Sequence, residues 1–217
     1  MRNGFFIVIE GPDGSGKSTQ ARLLTEKLKI DGRSCIFTEE PGGTDEGKHI
    51  RDLILNPRFT ISPRTELFLF LADRSNHVEN VIRPALERGS IVICSRYIYS
   101  TLVYQGMTRQ IAPFDFLLDL NLFAVDRIIP DIVFYLDIPP HEGLHKAVRT
   151  SQHENNFAGG DRIEREGVDF QKRVREGYEA LAERFSEIFI TINGSDPRAK
   201  ITAAMYTEVT ARMKGAL

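Results

Sequence analysis

The residues Gly11-Pro12-Asp13-Gly14-Ser15-Gly16-Lys17-Ser18 fill the pattern G-x-x-x-x-G-K-[ST] in full, a spacing suited to wrapping a polyphosphate. Glycines let the main chain curl closely round an anion with its N–H groups turned inward. A helix beginning at about Lys17 and Ser18, with Thr19 in its first turn, adds the positive end of its dipole. Lys17 is placed to bridge the outer phosphates and the Ser18 hydroxyl to ligate Mg²⁺. The apolar run Phe5–Glu10 (FFIVIE) precedes the loop and a helical pattern follows it, the context the motif needs. The pattern predicts a bound nucleoside triphosphate but no particular reaction, because GTPase switches, motor ATPases and small-molecule kinases share it. No Asn-Lys-x-Asp guanine-reading motif is present, and a short chain of 217 residues favours a small-molecule kinase.

The elements that must position this loop alternate between strand and helix, which predicts an α/β fold with a parallel sheet and crossover helices. Expected strands are Phe5–Glu10, Ser34–Thr38, Ser90–Arg96, Ile132–Asp137 and Ile188–Ile192; the continuous apolar runs in the third and fourth mark them as buried on both faces. A helix is expected from about Lys17 to Ile30, with Ala21, Leu24 and Leu28 on one face and Asp31-Gly32 ending it. A second, from about Arg64 to Arg88, carries Leu67, Phe70, Leu71, Val78, Val81, Ile82 and Ala85 at helical spacing and stops at Gly89. The last helix is expected to start at Asp196-Pro197 and to be striped by Ile201, Met205, Val209 and Met213. The polar segment Thr150–Gly160 (TSQHENNFAGG) reads equally as a surface connector or as a mobile lid.

Composition bounds the partners. A formal net charge of −2 argues against coating nucleic acid or an anionic membrane. No apolar run has the length of a membrane span, and Met1–Glu10 lacks the features of a signal peptide, so a cytoplasmic protein is expected. Cys35 and Cys94 both fall in expected strands and read as reduced core thiols.

Several further segments, in order, resemble the bacterial thymidylate kinases, P-loop nucleoside monophosphate kinases that make dTDP from dTMP and ATP. These are Phe6–Thr19; Glu40-Pro41-Gly42-Gly43-Thr44 with Ile50-Arg51-Asp52-Leu53; Leu69–Arg74; Arg96-Tyr97 with Ser100-Thr101 and Tyr104-Gln105-Gly106; Pro130-Asp131 with Tyr135-Leu136-Asp137 and Pro139-Pro140; and Asp161-Arg162-Ile163-Glu164. The resemblance spans nearly the whole chain. It implies a three-layer P-loop NTPase fold, one kinase domain over residues 1–217 with a mobile lid at about residues 141–165, ATP with Mg²⁺, and a homodimer built through the Arg64–Arg88 helix and the 96–110 region.

The resemblance also implies roles. Phe70 stacks on thymine and Arg74, four residues on and so on the same helix face, bonds a base carbonyl. Without the resemblance, core packing for Phe70 and solvation for Arg74 are the favoured readings. Arg51 and Arg96 clamp the acceptor phosphate, Thr101 and Gln105 read the polar edge of the base, Tyr104 lies under the deoxyribose, and Pro41, Tyr97 and Ser100 complete the dTMP site. Asp13 accepts from the sugar 3′-hydroxyl, and Ser18 and Glu164 ligate the metal. Some members carry a catalytic arginine within the phosphate loop; here that position is Gly14, so the cation is expected from Lys146, Arg149 or Arg162, with Arg149 the first choice. Two positions depart from the family pattern. Ser95-Arg96-Tyr97 stands where Asp-Arg-Tyr is usual, that aspartate helping to hold the Mg²⁺ site. Glu39-Glu40-Pro41 stands where Arg-Glu-Pro is frequent; Glu39 either lies outside the pocket or replaces the missing carboxylate. The competing readings are a kinase for another monophosphate or a deoxynucleoside, and a nucleotide-binding protein with weakened catalysis.

Overall fold

In a computed structural model, describing residues 4–154 and 157–215, five parallel strands form one sheet in the order β2-β3-β1-β4-β5. They are β1 (Phe5–Glu10), β2 (Cys35–Glu39), β3 (Ile91–Ser95), β4 (Ile132–Asp137) and β5 (Phe189–Asn193). The strand period of two sends alternate side chains to opposite faces. Phe6 and Val8 of β1, Val92 and Cys94 of β3, and Val133 and Tyr135 of β4 enter one core. Ile7, Ile9, Ile91, Ile93, Ile132, Phe134 and Leu136 enter the other. Cys35 and Cys94 lie in different cores and both are free thiols, as their strand positions predict.

The second core is closed by α1 (Lys17–Ile30), through Ala21, Leu24 and Leu28, and by α9 (Arg198–Gly215), through Ile201, Met205 and Val209. The helix stripes read from sequence are thus the buried stripes. Between β2 and β3 the chain forms α2 (Asp45–Leu55), α3 (Pro63–His77), a wide π turn over Val78–Ile82, and α4 (Arg83–Glu87). The sequence predicts one regular helix here. The Arg83 N–H instead bonds the Val78 carbonyl, five residues back, and this wide turn lies where Pro84 cannot make the regular bond. After β3, α5 (Ile98–Thr101) runs into a second π stretch, Leu102–Thr108, and then α6 (Phe114–Ala124). The first core is completed by α8 (Val168–Arg184), whose Phe170, Val174, Tyr178 and Leu181 are buried.

The polar run beginning at Thr150 is not a loop throughout. The helix α7 (Pro140–Glu154) continues to residue 154, residues 155 and 156 lie outside the described part, and the chain then turns through Gly159 and Gly160, both with positive φ. α7 is laid directly on the phosphate loop. A Cβ on Gly14 (φ +73°) would run into the Gly143 carbonyl, and one on Gly143 would meet the Asp13 carbonyl oxygen at 2.6 Å and Ile138 Cγ2 at 3.3 Å. There is no room at position 14 for an arginine unless α7 moves. Gly143→Ala in a helix interior would ordinarily stabilise by about 1 kcal/mol. The clash with backbone reverses the sign here, and a lower melting temperature with weaker nucleotide binding is expected in a thermal-shift titration.

Candidate active site

The parallel register sets the carboxyl ends of the strands in a row, where α/β sheets gather their ligands. Ile9 pairs with Ser95, Ser95 with Glu39, and Glu10 with Tyr135. A cleft of about 670 Å³ opens over this edge, lined by the phosphate loop, the β2 and β3 ends, Arg51, Phe70, Tyr104 and the inner side of α7.

Lys17 is buried and, in this structure, folds back so that Nζ donates to the Pro12 carbonyl at 2.6 Å and to Ser15 Oγ at 3.3 Å. Burial and the nearby Arg96 charge push its pKa down to about 7, against the opposing pull of Asp13 and Glu10. The Ser18 hydroxyl donates to Glu39 Oε2 at 3.1 Å and lies 3.3 Å from Ser95 Oγ. The two departures noted in the sequence therefore meet at a single atom.

Arg96 is the hub. Its backbone is left-handed (φ +69°), a conformation costly for a side chain with a Cβ, and its N–H bonds the Ile9 carbonyl. Its guanidinium pairs with Asp13 and reaches the Gly11 carbonyl (3.3 Å), Ser100 Oγ (3.2 Å) and Tyr104 Oη (3.4 Å). Asp13 also accepts from Tyr104 (3.1 Å) and Gln171 (3.0 Å). Burial alone would raise the Asp13 pKa; Arg96, Lys17 and those two donors hold it below the ordinary aspartate value. Beneath them Glu10 is fully buried and accepts from Tyr97 N, Ser100 N, Ser100 Oγ and Tyr178 Oη; burial pushes its carboxyl up against those donors.

Arg74 is buried rather than solvated. It donates to Glu40 (2.7 Å), Thr101 Oγ1 (2.6 Å), Asn121 Oδ1 (2.6 Å) and the Tyr97 carbonyl (3.0 Å). Glu40 in turn meets His77 Nδ1 at 2.9 Å. Arg74 and Thr101 still reach the cleft wall beside half-buried Phe70. Gln105 also lines the cleft, its amide donating to Glu66 at 2.7 Å. Arg51 donates to the Pro41 carbonyl at 2.9 Å, and both residues line the cleft. The structure places Tyr97 elsewhere: its ring packs edge-on against Phe6 in the core and its hydroxyl donates to the Ile128 carbonyl.

The three lid cations separate. Arg149 lines the cleft. Lys146 also lines it but pairs with Glu142 at 2.6 Å. Arg162 is turned away, donating to the Ile54 carbonyl at 2.7 Å and pairing with buried Glu66. Glu164 borders the cleft, with one carboxylate oxygen accepting from Ser151 Oγ and the other from the Asp161 N–H, each at 2.9 Å; Asp161 is pushed up to about 7 by burial and by the Asp13 and Glu164 charges. Glu10, Glu66, Asn121, Gln171 and Tyr178 have no motif that singles them out. Only Glu10 left a trace in the sequence, as a charge closing an apolar strand.

The thymidylate kinase family model matches residues 9–205. A thymidylate kinase of Halothermothrix orenii is 42% identical over 206 residues, covering 95% of this chain and 96% of the relative. One of Clavibacter sepedonicus is 41% identical over 200 residues, 92% of each chain, and one of a Geobacillus species is 38% identical over 213 residues, 98% of this chain and 99% of the relative. The chain belongs to the thymidylate kinase family. The resemblance read from the ordered motifs is thereby established, together with the α/β phosphate-loop fold.

The depressed pKa of Lys17 has a measurable consequence. A lysine titrating near 7 is mostly uncharged at pH 8 in the free protein, and a bound polyphosphate raises its pKa and recharges it. Nucleotide binding should therefore take up more protons at pH 8 than at pH 6, by as much as roughly 0.8 per site for a midpoint of about 7. Calorimetry in buffers of different ionisation enthalpy reads this, and the extra uptake at pH 8 should be smaller in Lys17→Met.

Proposed function

We propose that this chain transfers the γ-phosphate of ATP to dTMP, giving dTDP and ADP. One observation carries the reading: the phosphate loop, with Lys17, opens into the same cleft as Arg51, Phe70, Arg74, Arg96, Thr101, Tyr104 and Gln105. That cleft has room for donor phosphates at one end and a pyrimidine monophosphate at the other. The transition state of phosphoryl transfer spreads charge over equatorial oxygens, so catalysis is mostly positioning and charge stabilisation.

In this reading Lys17 leaves the Pro12 carbonyl for the outer phosphates of ATP. Arg96, held by Asp13 and by its left-handed backbone, and Arg51 hold the acceptor phosphate between donor and base. That phosphate is already an anion, so no strong general base is needed. Phe70 offers its ring to thymine while Arg74, fixed from behind by Glu40 and Asn121, presents a remaining N–H to a base carbonyl. Tyr104 and Asp13 bound the sugar, joining the two halves of the cleft. Arg149 is the lid cation, and closure of the lid over the cleft excludes water and suppresses ATP hydrolysis.

The oxygen donors around Ser18 suit a hard divalent cation, and Mg²⁺ with ATP is the assigned cofactor. When bound, such an ion screens the charge of the donor phosphates. Glu164, which borders the same cleft, is assigned as a further ligand of that ion. A homodimer is assigned as well, formed through the exposed Phe68 of α3 and Phe116 and Phe123 of α6; most of the 96–110 segment is buried within the chain and offers little surface. No described helix is long and apolar enough to cross a membrane, and a cytoplasmic location is assigned with the proposed substrates.

A coupled ADP-release assay over dTMP, dUMP, dCMP, dGMP and AMP should show a clear preference for dTMP, and a preference for any other acceptor contradicts the reading. Lys17→Ala and Arg96→Ala should each lower turnover about a hundredfold or more, the scale for removing one preorganised charge stabiliser.

A further inference from the structure

Glu39 and Ser95 are the last residues of adjacent parallel strands and are register partners. Such partners project to the same face of a sheet, and these two converge on the Ser18 hydroxyl, Glu39 Oε2 at 3.1 Å and Ser95 Oγ at 3.3 Å. Adjacent strands lie about 4.8 Å apart, and glutamate carries one more methylene than aspartate. A carboxylate rooted at the end of β2 therefore reaches the hydroxyl that a shorter carboxylate at the end of β3 would reach. The resulting group is hydroxyl, carboxylate and hydroxyl, with no nitrogen or sulfur, which is the donor chemistry of Mg²⁺ and Mn²⁺. Glu39 is half-buried at the cleft wall and adds a negative charge where the phosphate loop would otherwise leave an ion with hydroxyl donors alone.

We propose that Glu39 holds the divalent cation of the metal–nucleotide complex beside Ser18, replacing from β2 the carboxylate that position 95 lacks. The metal site has been kept and its acid moved one strand across the sheet. The two departures are then one coupled change: Ser95 alone would strip the site of its charge, and Glu39 beside an aspartate at 95 would place two carboxylates against one hydroxyl.

This rests on the phosphotransfer reading, so its test avoids both turnover and dTMP. Free Mn²⁺ is followed by electron paramagnetic resonance as it titrates the protein–ADP complex, with metal-free ADP binding measured alongside in EDTA. E39Q should weaken Mn²⁺ binding about tenfold or more, the scale for losing a carboxylate partner at a metal site, and leave metal-free ADP affinity within about twofold. E39Q/S95D should bring Mn²⁺ affinity back to within about threefold of the parent. Unchanged Mn²⁺ affinity in E39Q, an equal loss of metal-free ADP binding, or a double variant no better than E39Q overturns the proposal. If E39Q melts early, the double variant decides alone: affinity near the parent supports the proposal and a tenfold loss ends it. Failure here leaves dTMP phosphorylation untouched, and failure of the acceptor assay leaves the Mn²⁺ titration readable.

Discussion

The register of the parallel sheet is the constraint on which the rest depends. Because β1 pairs with β3 at Ile9–Ser95 and β3 with β2 at Ser95–Glu39, three strands finish level with one another and release their chains at one edge. The chain leaving β1 becomes the phosphate loop, the chain leaving β3 delivers Arg96, and the chain leaving β2 delivers Glu39, Glu40 and Pro41. A slip of one residue in any pair would turn these side chains to the opposite face. The apolar alternation that feeds two separate cores makes such a slip costly, so the packing that stabilises the sheet also fixes the chemistry at its rim.

Charge at that rim is balanced by burial and pairing together. Asp13 stays ionised although burial disfavours it, because Arg96, Lys17, Tyr104 and Gln171 face it. Arg96 stays in a strained backbone because Asp13, Gly11, Ser100 and the Ile9 carbonyl over-determine its position. Lys17 is the member left partly unbalanced, resting on a carbonyl with its pKa pulled down to about 7. A site for a polyphosphate is of this kind, since the missing negative charge arrives with the ligand.

Local order was legible where the signal was local. β1, α1 and β4 have the ends that their apolar runs and the phosphate-loop pattern imply. The break in the long helix was less visible, since apolar spacing runs on through Val78 and Ile82 and only Pro84 hints at a wide turn. The polar composition of residues 150–154 pointed to a loop, yet nothing in that run forbids a helix, and α7 carries through it. The family resemblance puts Tyr97 in the dTMP site, but the left-handed turn at Arg96 sends the next ring into the core. Least legible were the partners that hold functional groups in place. Asn121 beneath Arg74 and Gln171 beside Asp13 are separated from them by 47 and 158 positions, and no spacing rule reaches that far.

In the proposed phosphotransfer, donor and acceptor share one continuous cleft, joined at Asp13, Arg96 and Tyr104. The most direct test is calorimetric titration with a single ligand in which adenosine and thymidine are linked 5′ to 5′ through five phosphates. If the cleft is continuous, this ligand binds at one site per chain at least a hundredfold tighter than ATP or dTMP alone, the gain expected when a second binding event becomes intramolecular. It also displaces both. Affinity no better than that of ATP, with dTMP still able to bind alongside, would contradict the claim.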